Sequence, residues 1–383
     1  MRKNHNRQVF FSLLRAGLWE NSVNFTGDSL KFTGCLDWEE VYKLAEEQSV
    51  QGLVLAGIDC LPNEQKPPKV LLLQWIGEIQ MLEQQNQSMN QFIGELVVKM
   101  RKADISTLLI KGQGVAQCYE RPLWRSCGDV DFFLSEDNYK KALNCLTPLS
   151  QSVDQELHGE PHIAMHIDPW IVELHAGIPT RLISRIDKVL EKLTYNTFYG
   201  GEVRSWENGK ALVFLPYPDN DVLFVFTHIL KHFYRGGIGL RQMCDWCRLL
   251  WTYRDSINYQ LLEARIKEMG LMTEWKAFAA LAVKWLGMPK EAMPLYNAND
   301  NHNVQRLERK ADHIVDFVLE TGNFGHNRDT SYYNNRPYVI RKMLSLKQHT
   351  IDGIHHFKVF PLDSIRIWGR MLRSGIKAAI DRR

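Results

Sequence analysis

The stretch LLIKGQGVAQCYERPLWRSCGDVDFFL, residues 108–134, changes its periodicity twice and carries two aspartates near its end. Its first segment is short, aliphatic and stopped by Gly112, which predicts a β-strand, and the GVAQCY segment that follows is typical of the start of a helix. DVDFFL predicts a second strand. Because side chains alternate along a strand, Asp129 and Asp131 project from one face and Val130 from the other.

The two aspartates repel each other on their shared face, and one of them would take up a proton unless a cation lies between them. Mg²⁺ prefers one or two carboxylates completed by water and phosphate oxygens. Asp-x-Asp on a strand therefore favours metal-assisted phosphate chemistry. A motif this short is also explained by a solvated strand edge.

A third acid, Glu173, lies in the otherwise apolar segment WIVEL. HIAMHI and WIVELHA alternate on either side of residues 168–169, Asp-Pro, which predicts a β-hairpin. A loop of two or four residues puts Ala164 opposite Glu173. The same register puts His162 opposite His175, on the same side of the sheet. An unpaired charge in such a strand is expensive, so Glu173 is expected to have a partner.

Groups that suit a phosphate surround the first strand. Gly112 and Gly114 open a predicted helix, whose N-terminal N–H groups can hold a phosphate. Lys111 and Arg125 flank this region and supply positive charge. These residues and the acids together indicate a site for a metal and a phosphate.

This combination resembles the nucleotidyltransferase superfold shared with DNA polymerase β, whose pattern is a glycine-containing turn, a strand with Asp-x-Asp or Asp-x-Glu, and a third acid on a later strand. From the N-terminal helices to about residue 250, the chain resembles more narrowly an uncharacterised bacterial nucleotidyltransferase family. Its pattern is Leu-Lys-Gly, Tyr, Pro, Arg, Asp-x-Asp, Glu-Leu-His and a helical His, Leu-Arg, Asp segment. The matching residues are Lys111, Gly112, Tyr119, Pro122, Arg125, Asp129, Asp131, Glu173, Leu174, His175, His232, Leu240, Arg241 and Asp245.

The chain departs from the wider superfold in two places. Gly112-Gln113 stands where Gly-Ser or Gly-Gly is usual, and the gap from Gly112 to Asp129 is longer. Both departures concern the way a triphosphate is cradled, because they lie in the turn and not among the acids.

The resemblance implies an α+β fold: a small mixed sheet with helices, flanked by N- and C-terminal helical segments. It implies an enzyme that uses two Mg²⁺ ions to move a nucleoside monophosphate from a nucleoside triphosphate to an unidentified acceptor hydroxyl. Asp129 and Asp131 would bind both ions and Glu173 would complete the second site, which makes these three the catalytic and metal-binding residues. The implied nucleotide-binding residues are Lys111, Gly112, Gln113, Arg125, His175, His232 and Arg241.

The periodicity divides the chain into three parts. Residues 1–103 predict helices, among them DWEEVYKLAEEQSV with Asp37 as its N-cap. Residues 104–206 predict the α/β catalytic unit. Residues 207–383 predict a C-terminal helical domain that begins with DNDVLFVFTHILKHFYRG and GLRQMCDWCRLLWTY.

The composition predicts a soluble protein without a long nucleic-acid partner. Its 47 basic and 44 acidic residues give a net charge of only +3, which argues against coating a nucleic acid. Seven cysteines without a framework spacing predict reduced thiols and a cytoplasmic location, in a protein that the resemblance implies is bacterial. The apolar runs are too short for a transmembrane segment.

Two residue pairs are compatible with a zinc site. His228 and His232 are four apart on one predicted helix, and Cys244 and Cys247 are three apart on the next. The glutamate of the metalloprotease signature and a second C-x-x-C are both missing, which favours core thiols.

Other polar positions leave alternatives open. Arg241 and Asp245 fit either a helix-surface salt bridge or the lining of the nucleotide pocket. His162 and His166 are explained as ordinary polar positions on a half-exposed sheet. His175 could orient a carboxylate or the acceptor.

The C-terminal segment is basic and amphipathic. Residues 341–383 hold ten Lys or Arg against three Asp. The predicted helix in DSIRIWGRMLRSGIKAAIDRR either docks on its own protein or contacts an acidic partner or a membrane surface. Its apolar stripe is Ile365, Trp368, Leu372, Ile376 and Ala379.

Two other functions stay open. A glycosyltransferase also uses Asp-x-Asp to hold a metal and a nucleotide sugar, but it would need several βα units before the motif, where this chain predicts helices. A non-catalytic binding or regulatory protein could keep the fold, and even the nucleotide, without turnover.

Overall fold

The computed structural model describes residues 2–20, 36–154, 162–297, 301–328 and 336–380. Within these ranges the predicted α+β fold is confirmed, because a five-stranded mixed sheet lies between helical segments. The strand order is β1-β2-β5-β4-β3. The strands are β1 (Leu108–Ile110), β2 (Asp129–Phe133), β3 (Ser152–Val153), β4 (His162–Ile167) and β5 (Trp170–His175).

The register of the sheet brings the three acids together. β2 is parallel to β5, with Asp131 beside Glu173. The predicted hairpin of β4 and β5 is confirmed, with Ala164 beside Glu173 and His162 beside His175. Because paired residues of neighbouring strands project to the same side, Glu173 shares a face with the Asp-x-Asp motif.

In the described part of the chain, four helices precede the sheet: α1 (Arg2–Leu18), α2 (Trp38–Glu47), α3 (Gln51–Asp59) and α4 (Lys69–Lys102). The predicted cap of α2 is confirmed, since Asp37 Oδ1 accepts a hydrogen bond from the Glu40 backbone N–H at 3.2 Å. α1 and α3 pack closely at glycines, because a Cβ on Gly17 would overlap the Leu53 carbonyl.

Three helices accompany the sheet: α5 (Gly112–Ala116), α6 (Glu136–Leu146) and α7 (Ser184–Tyr199). A second hairpin, of β6 (Val203–Asn208) and β7 (Ala211–Pro216), was not predicted. Its Val213 and Leu215 belong to one apolar cluster with Ile93 of α4 and Leu109 of β1. The hairpin therefore extends the core beneath the sheet.

Helices return after the second hairpin, as predicted. They are α8 (Pro218–Arg235), α9 (Leu240–Thr252), α10 (Tyr259–Met269), α11 (Met272–Lys284), α12 (Asn301–Thr321), α13 (Tyr338–Val359) and α14 (Pro361–Ile380). Among the helices described, none has both the length and the apolar character needed to cross a bilayer.

The core lies on both faces of the sheet. Val130 and Phe132 pack with α4 and α6 on one face. Phe133 belongs to the opposite cluster, which joins N-terminal and C-terminal helices. Asp129 and Asp131 alternate with Val130 and Phe132, so the acids face α8 and α9 across a cavity.

Candidate active site

A cavity of about 370 Å³ separates the acid-bearing face of the sheet from α8 and α9. Nine of the ten residues predicted for the site line this cavity, and the exception is Gln113. The tertiary structure therefore brings together residues that lie between positions 111 and 241 of the chain.

Three side chains form a group with the spacing of metal ligands. Asp131, Glu173 and His175 place one potential ligand atom each within 4.8 Å of one another. His175 Nε2 lies 2.8 Å from Asp131 Oδ1 and 3.3 Å from Glu173 Oε2. Asp131 and His175 are buried, whereas Glu173 is half-buried and faces the cavity. In the ranges that the structure describes, this is the one such group of His, Cys, Asp or Glu.

Asp129 adds a carboxylate to this group from two residues upstream. Repulsion from Asp131, followed by burial, raises the pKa of Asp129 to about 6. A nearby cation would stabilise the charged form of this carboxyl group and lower its pKa again. The electrostatics of Asp129 therefore agree with a role as a cation ligand.

Asp131 is held in its charged form by two neighbours. Burial alone would raise its pKa, but Lys111 and His175 outweigh burial and hold the pKa of Asp131 well below its usual range. Lys111 Nζ donates a hydrogen bond to Asp131 Oδ1 at 3.0 Å. Burial opposes the charge on Lys111 and His175 too, yet the acids raise the pKa of both. The protein itself thus supplies positive charge where the acids meet.

The turn from β1 into α5 presents Lys111 to the acids. Lys111 has φ 54° and ψ −143°, and Gly112 has φ 39°. A Cβ on Gly112 would lie 3.3 Å from Cys127 Sγ. A lysine with positive φ is strained, and such strain is typical of functional sites.

Gln113 faces α4 instead of the cavity. Its side chain is buried, and its Nε2 donates to Asn86 Oδ1 at 2.7 Å. Asn86 in turn donates its Nδ2 to the carbonyls of Leu123 and Arg125, at 2.7 and 2.9 Å. The Gln113 side chain therefore fastens the turn to α4 and does not line the cavity.

Arg125 lies at the cavity wall, but its guanidinium is bound to Asp245. Arg125 Nε lies 2.9 Å from Asp245 Oδ1, and Nη2 lies 2.7 Å from Oδ2. Tyr119 donates its hydroxyl to the same Oδ1 at 2.7 Å. Burial would lower the pKa of Arg125, but Asp245 raises it. This buried network ties α9 to the loop that leads into β2.

Arg241 is a cation without a carboxylate partner in the described residues. Its Nη1 donates to the Ser126 carbonyl at 2.6 Å. The alternative salt bridge to Asp245 does not form, because both oxygens of Asp245 are bound by Arg125. Burial, followed by the charge of Arg125, lowers the pKa of Arg241. A half-buried guanidinium that lines the cavity suits an anion with several oxygens, such as a phosphate.

Two histidines of α8 complete the wall opposite the acids. The rings of His228 and His232 lie 4.4 Å apart. Burial, followed by the charge of Lys111, lowers the pKa of both, to about 3 for His232. Both rings are therefore neutral at pH 7, and each can donate and accept a hydrogen bond.

A family model described as "Uncharacterised nucleotidyltransferase" matches residues 34–287, which include the three acids, Lys111, Arg241 and both histidines of α8. The chain belongs to this nucleotidyltransferase family. No curated protein and no solved structure matches the chain. The family resemblance in the sequence is thus confirmed, and it covers the sheet and the cavity wall formed by α8 and α9.

The zinc alternative finds no support in the described residues. Cys244 and Cys247 are fully buried in the core. Neither they nor His228 and His232 belong to a group with ligand spacing in the described residues. The prediction of core thiols is therefore confirmed.

Phe324 and Asn86 also contribute to the candidate site, and neither was predicted. Phe324, in the loop after α12, lines the cavity from beyond the residues that the family model matches. Its only signal is the glycine-rich sequence TGNFGH around it. Asn86 supports the site from α4, and its signal is a polar residue between the apolar positions of a long helix.

Proposed function

We propose that this nucleotidyltransferase depends on Mg²⁺ and transfers a nucleoside monophosphate from a nucleoside triphosphate to an acceptor hydroxyl. The observation that carries the proposal is the position of Asp129, Asp131 and Glu173 on one face of two neighbouring parallel strands, beside a cavity. Membership of the nucleotidyltransferase family supports the reaction class.

The residues present fit divalent metal ions. Three carboxylates offer the hard oxygen ligands that Mg²⁺ prefers, with room for water and phosphate oxygens in the cavity. Asp129 and Asp131 would hold two ions, and Glu173 would complete the second site. When bound, the ions neutralise phosphate charge and lower the pKa of the acceptor hydroxyl. Repulsion between Asp129 and Asp131 supports this assignment, because bound cations relieve it.

His175 acts as a positioning residue in this proposal. Its Nε2 contacts both the Asp131 and the Glu173 carboxylates, which fixes their orientation toward the cavity. Arg125 is also a positioning residue, since Asp245 holds its guanidinium and its carbonyl accepts from Asn86. These contacts hold the strand with Asp129 and Asp131 against α9 and α4.

Lys111 and Arg241 would bind the triphosphate. Both have cationic groups at the cavity, and Arg241 has no carboxylate partner in the described part of the chain. Gly112 offers its backbone beside them, and the neutral His232 offers a ring nitrogen. The acceptor hydroxyl gives up its proton to solvent as its oxygen bonds to the α-phosphorus, and the bond from that phosphorus to pyrophosphate breaks. The cationic side chains stabilise the negative charge that develops on the phosphate oxygens.

The fold gives no support to the glycosyltransferase alternative. In the residues described, helices α1 to α4 precede β1, and a single short βα unit, β1 with α5, lies before the Asp-x-Asp motif instead of several. A non-catalytic protein would bind the nucleotide without transferring its nucleoside monophosphate. The experiment below distinguishes this alternative from the proposed enzyme.

The test incubates the protein with each α-labelled nucleoside triphosphate, Mg²⁺ and a cell extract, and identifies the labelled product. Asp131→Asn should abolish transfer, whereas Asp137→Asn should not. Asp137 is the matched control, because it is an exposed aspartate on α6, away from the cavity. Melting curves of both variants show whether the fold is intact.

Three outcomes contradict the proposal in different ways. If the Asp131→Asn variant still transfers the nucleotide, the acids are not needed for the reaction. Mg²⁺-dependent binding of triphosphates without transfer favours the regulatory protein. If the protein binds nucleotide sugars but not triphosphates, the result favours the glycosyltransferase alternative.

A further inference from the structure

Phe324 presents an aromatic ring to the cavity, beside polar and charged side chains of α8 and α9. The side chain of Phe324 is 43% exposed and lines the cavity. The ring of His232 lies 4.9 Å from it in an edge-on arrangement, and the Arg241 guanidinium lies 5.9 Å from its centre. An apolar ring in this position is not explained by packing, because nearly half of its surface is uncovered.

The backbone that carries Phe324 is strained. Phe324 has φ 52° and ψ 25°, in the left-handed region that favours glycine. Gly322 and Gly325 on either side also have positive φ, at 69° and 77°. Strained non-glycine residues persist where the surroundings impose them, and they cluster at ligand sites.

The surroundings impose the position of this loop. Asn323 donates its Nδ2 to Ser49 Oγ at 2.8 Å, and its Oδ1 accepts from the Gln242 side-chain amide. A Cβ on Gly325 would come within 2.7 Å of the Gly236 carbonyl, so the loop lies directly on the turn between α8 and α9. Phe324 is therefore held against the wall that contributes His232 and Arg241.

We propose that Phe324 is the stacking platform for the nucleobase of the bound triphosphate. This inference rests on the proposed function. Nucleobases stack on aromatic side chains through their π-faces, and such stacking tolerates different bases. Arg241 lies beside the ring with its charge unbalanced by a carboxylate, so one wall offers an aromatic face for a base and a cation for its phosphates.

The test compares two ligands in the full-length protein: Mg²⁺ with a nucleoside triphosphate, and Mg²⁺ with inorganic tripolyphosphate. Phe324→Leu keeps an apolar side chain but removes the π-face. It should weaken binding of the nucleoside triphosphate about ten-fold and leave tripolyphosphate unchanged. Phe324→Tyr should restore nucleotide affinity. Phe214→Leu is the matched control, because Phe214 is a partly exposed phenylalanine on β7 outside the cavity.

The outcomes separate this inference from the proposed function. Equal losses for both ligands in Phe324→Leu would assign Phe324 a structural role and overturn the inference. So would a Phe324→Leu variant that binds nucleoside triphosphate as the wild type does. If the wild type binds neither ligand, the proposed function itself fails.

A second and independent observation concerns the outer face of α13, which we define as Ile340, Met343, Leu346, Ile351, Ile354 and Phe357. These side chains are between 39% and 66% exposed. Their spacing places them along one side of the helix, over a length of roughly 26 Å. An exposed apolar stripe of this kind marks an interaction site.

The opposite side of α13 faces the protein and is mainly polar, although Val359 near its end packs in the core. Asp352 is buried and accepts from Arg328 Nη2 at 2.8 Å. His356 is buried with its ring 4.6 Å from Phe233. A surface helix normally shows the reverse arrangement, with its apolar side inward.

α14 extends the stripe instead of covering it. We expected Ile365 and Trp368 to face the protein or a partner, and they are 58% and 36% exposed. Ile367 is the buried residue between them. Trp368 lies against Gly353 of α13. Ile376 and Ala379 of the predicted stripe lie outside the side chains that the structure describes.

The charges within and beside this surface are mainly positive, and Lys347 and Lys358 lie among its apolar residues by their helical spacing. Lys347, Lys358, Arg366 and Arg373 are exposed on α13 and α14. The described part of α13 and α14 contains two acids, and both form ion pairs. Asp352 pairs with Arg328, and Asp363 pairs with Arg185 and Arg366. A second copy of the chain on the same face would bring like charges together.

We propose that the outer face of α13 lies on an anionic phospholipid surface. Helices that bind in the plane of a membrane combine aliphatic and aromatic residues with flanking Lys and Arg, and anionic lipids strengthen their binding. The outer face of α13, with Trp368 and the flanking basic residues, has this combination.

The test measures flotation of the full-length protein with phosphatidylcholine vesicles, with and without phosphatidylglycerol. The wild type should bind the anionic vesicles, and Met343→Ser with Ile354→Ser should weaken that binding by about ten-fold. Lys347→Gln with Lys358→Gln should weaken binding mainly at low salt. Val70→Ser with Leu73→Ser is the matched control, since both side chains are exposed on α4.

Absence of vesicle binding by the wild type would overturn this second proposal. Equal losses in the α4 control would do the same. A dimer that the Met343→Ser and Ile354→Ser changes dissociate would assign the face to a second copy of the chain.

Discussion

Arg125 and Asp245, 120 positions apart in the chain, form a buried ion pair with two hydrogen bonds of 2.9 and 2.7 Å. The pair joins α9 to the loop before β2, which carries the two aspartates. It also occupies the oxygens of Asp245, so that Arg241 is left to face the cavity without a carboxylate. One ion pair thus decides which arginine supports the site and which can bind a substrate.

Asp245→Asn should destabilise the protein by about 3–5 kcal/mol, because it leaves the buried charge of Arg125 uncompensated. Denaturant unfolding measures this loss. Arg125→Met combined with Asp245→Leu should recover part of it, since the double change removes both buried charges. A loss below about 1 kcal/mol in Asp245→Asn would show that the pair is not a structural support.

Arg241→Met should weaken ligand binding but leave the stability of the fold nearly unchanged. The free energy of unfolding should change by about 1 kcal/mol or less, because no ion pair is broken among the described residues. Binding of Mg²⁺ with tripolyphosphate should weaken about ten-fold or more, since a charged phosphate contact is lost. Arg309→Met is the control, as Arg309 is exposed on α12. Unchanged tripolyphosphate binding would contradict a role for Arg241 in the site.

Glu173→Gln should lower the affinity for Mn²⁺, used as a probe for the divalent site, by about ten-fold or more. The physical reason is the loss of one anionic oxygen from the group with Asp131 and His175. Titration calorimetry measures the affinity. Glu64→Gln, at an exposed position before α4, should bind Mn²⁺ like the wild type. If Glu173→Gln retains full affinity, the metal does not lie between β2 and β5.

Glu274 should make stability depend on pH. Burial, followed by the charge of Asp363 and a hydrogen bond to it, raises the pKa of Glu274 to about 8. Tyr234 and Lys310 also face this carboxyl group, and Arg185 Nη2 donates a hydrogen bond to Asp363 Oδ1 at 3.1 Å. A protonated Glu274 carboxyl group can donate a hydrogen bond to Asp363, which would link α11 to α14.

The sign of the effect follows from proton binding. Below the ordinary glutamate pKa both states are protonated, and between that value and about pH 8 the folded state keeps a proton that the unfolded state has lost. The contribution of Glu274 to stability is therefore present at low pH and declines by roughly 5 kcal/mol in total as pH rises through this window. Glu274→Gln keeps a donor to Asp363 without this titration.

The pH prediction is measured by urea unfolding at pH 6 and pH 8. The wild type should lose more stability between these two pH values than Glu274→Gln does. Equal losses in both proteins would show that Glu274 does not titrate in this range.

The sequence by itself determined the features that depend on local geometry. The alternation of a strand placed Asp129 and Asp131 on one face, and the register of a short hairpin placed Glu173 opposite Ala164. The cap at Asp37 follows from neighbouring residues too. Such features are predictable because the partners are few positions apart and the strand or helix period fixes their direction.

The tertiary structure alone decided which partner each long-range side chain takes. Arg125 and Arg241 both read as phosphate ligands in the sequence, and only the packing of α9 on the loop before β2 gave Asp245 to Arg125. Gln113 turned to α4 because Asn86 lies there. Phe324 reaches the cavity through a strained loop far along the chain, and α13 lies with its polar side inward. No sequence period encodes these choices, because they depend on how distant elements pack together.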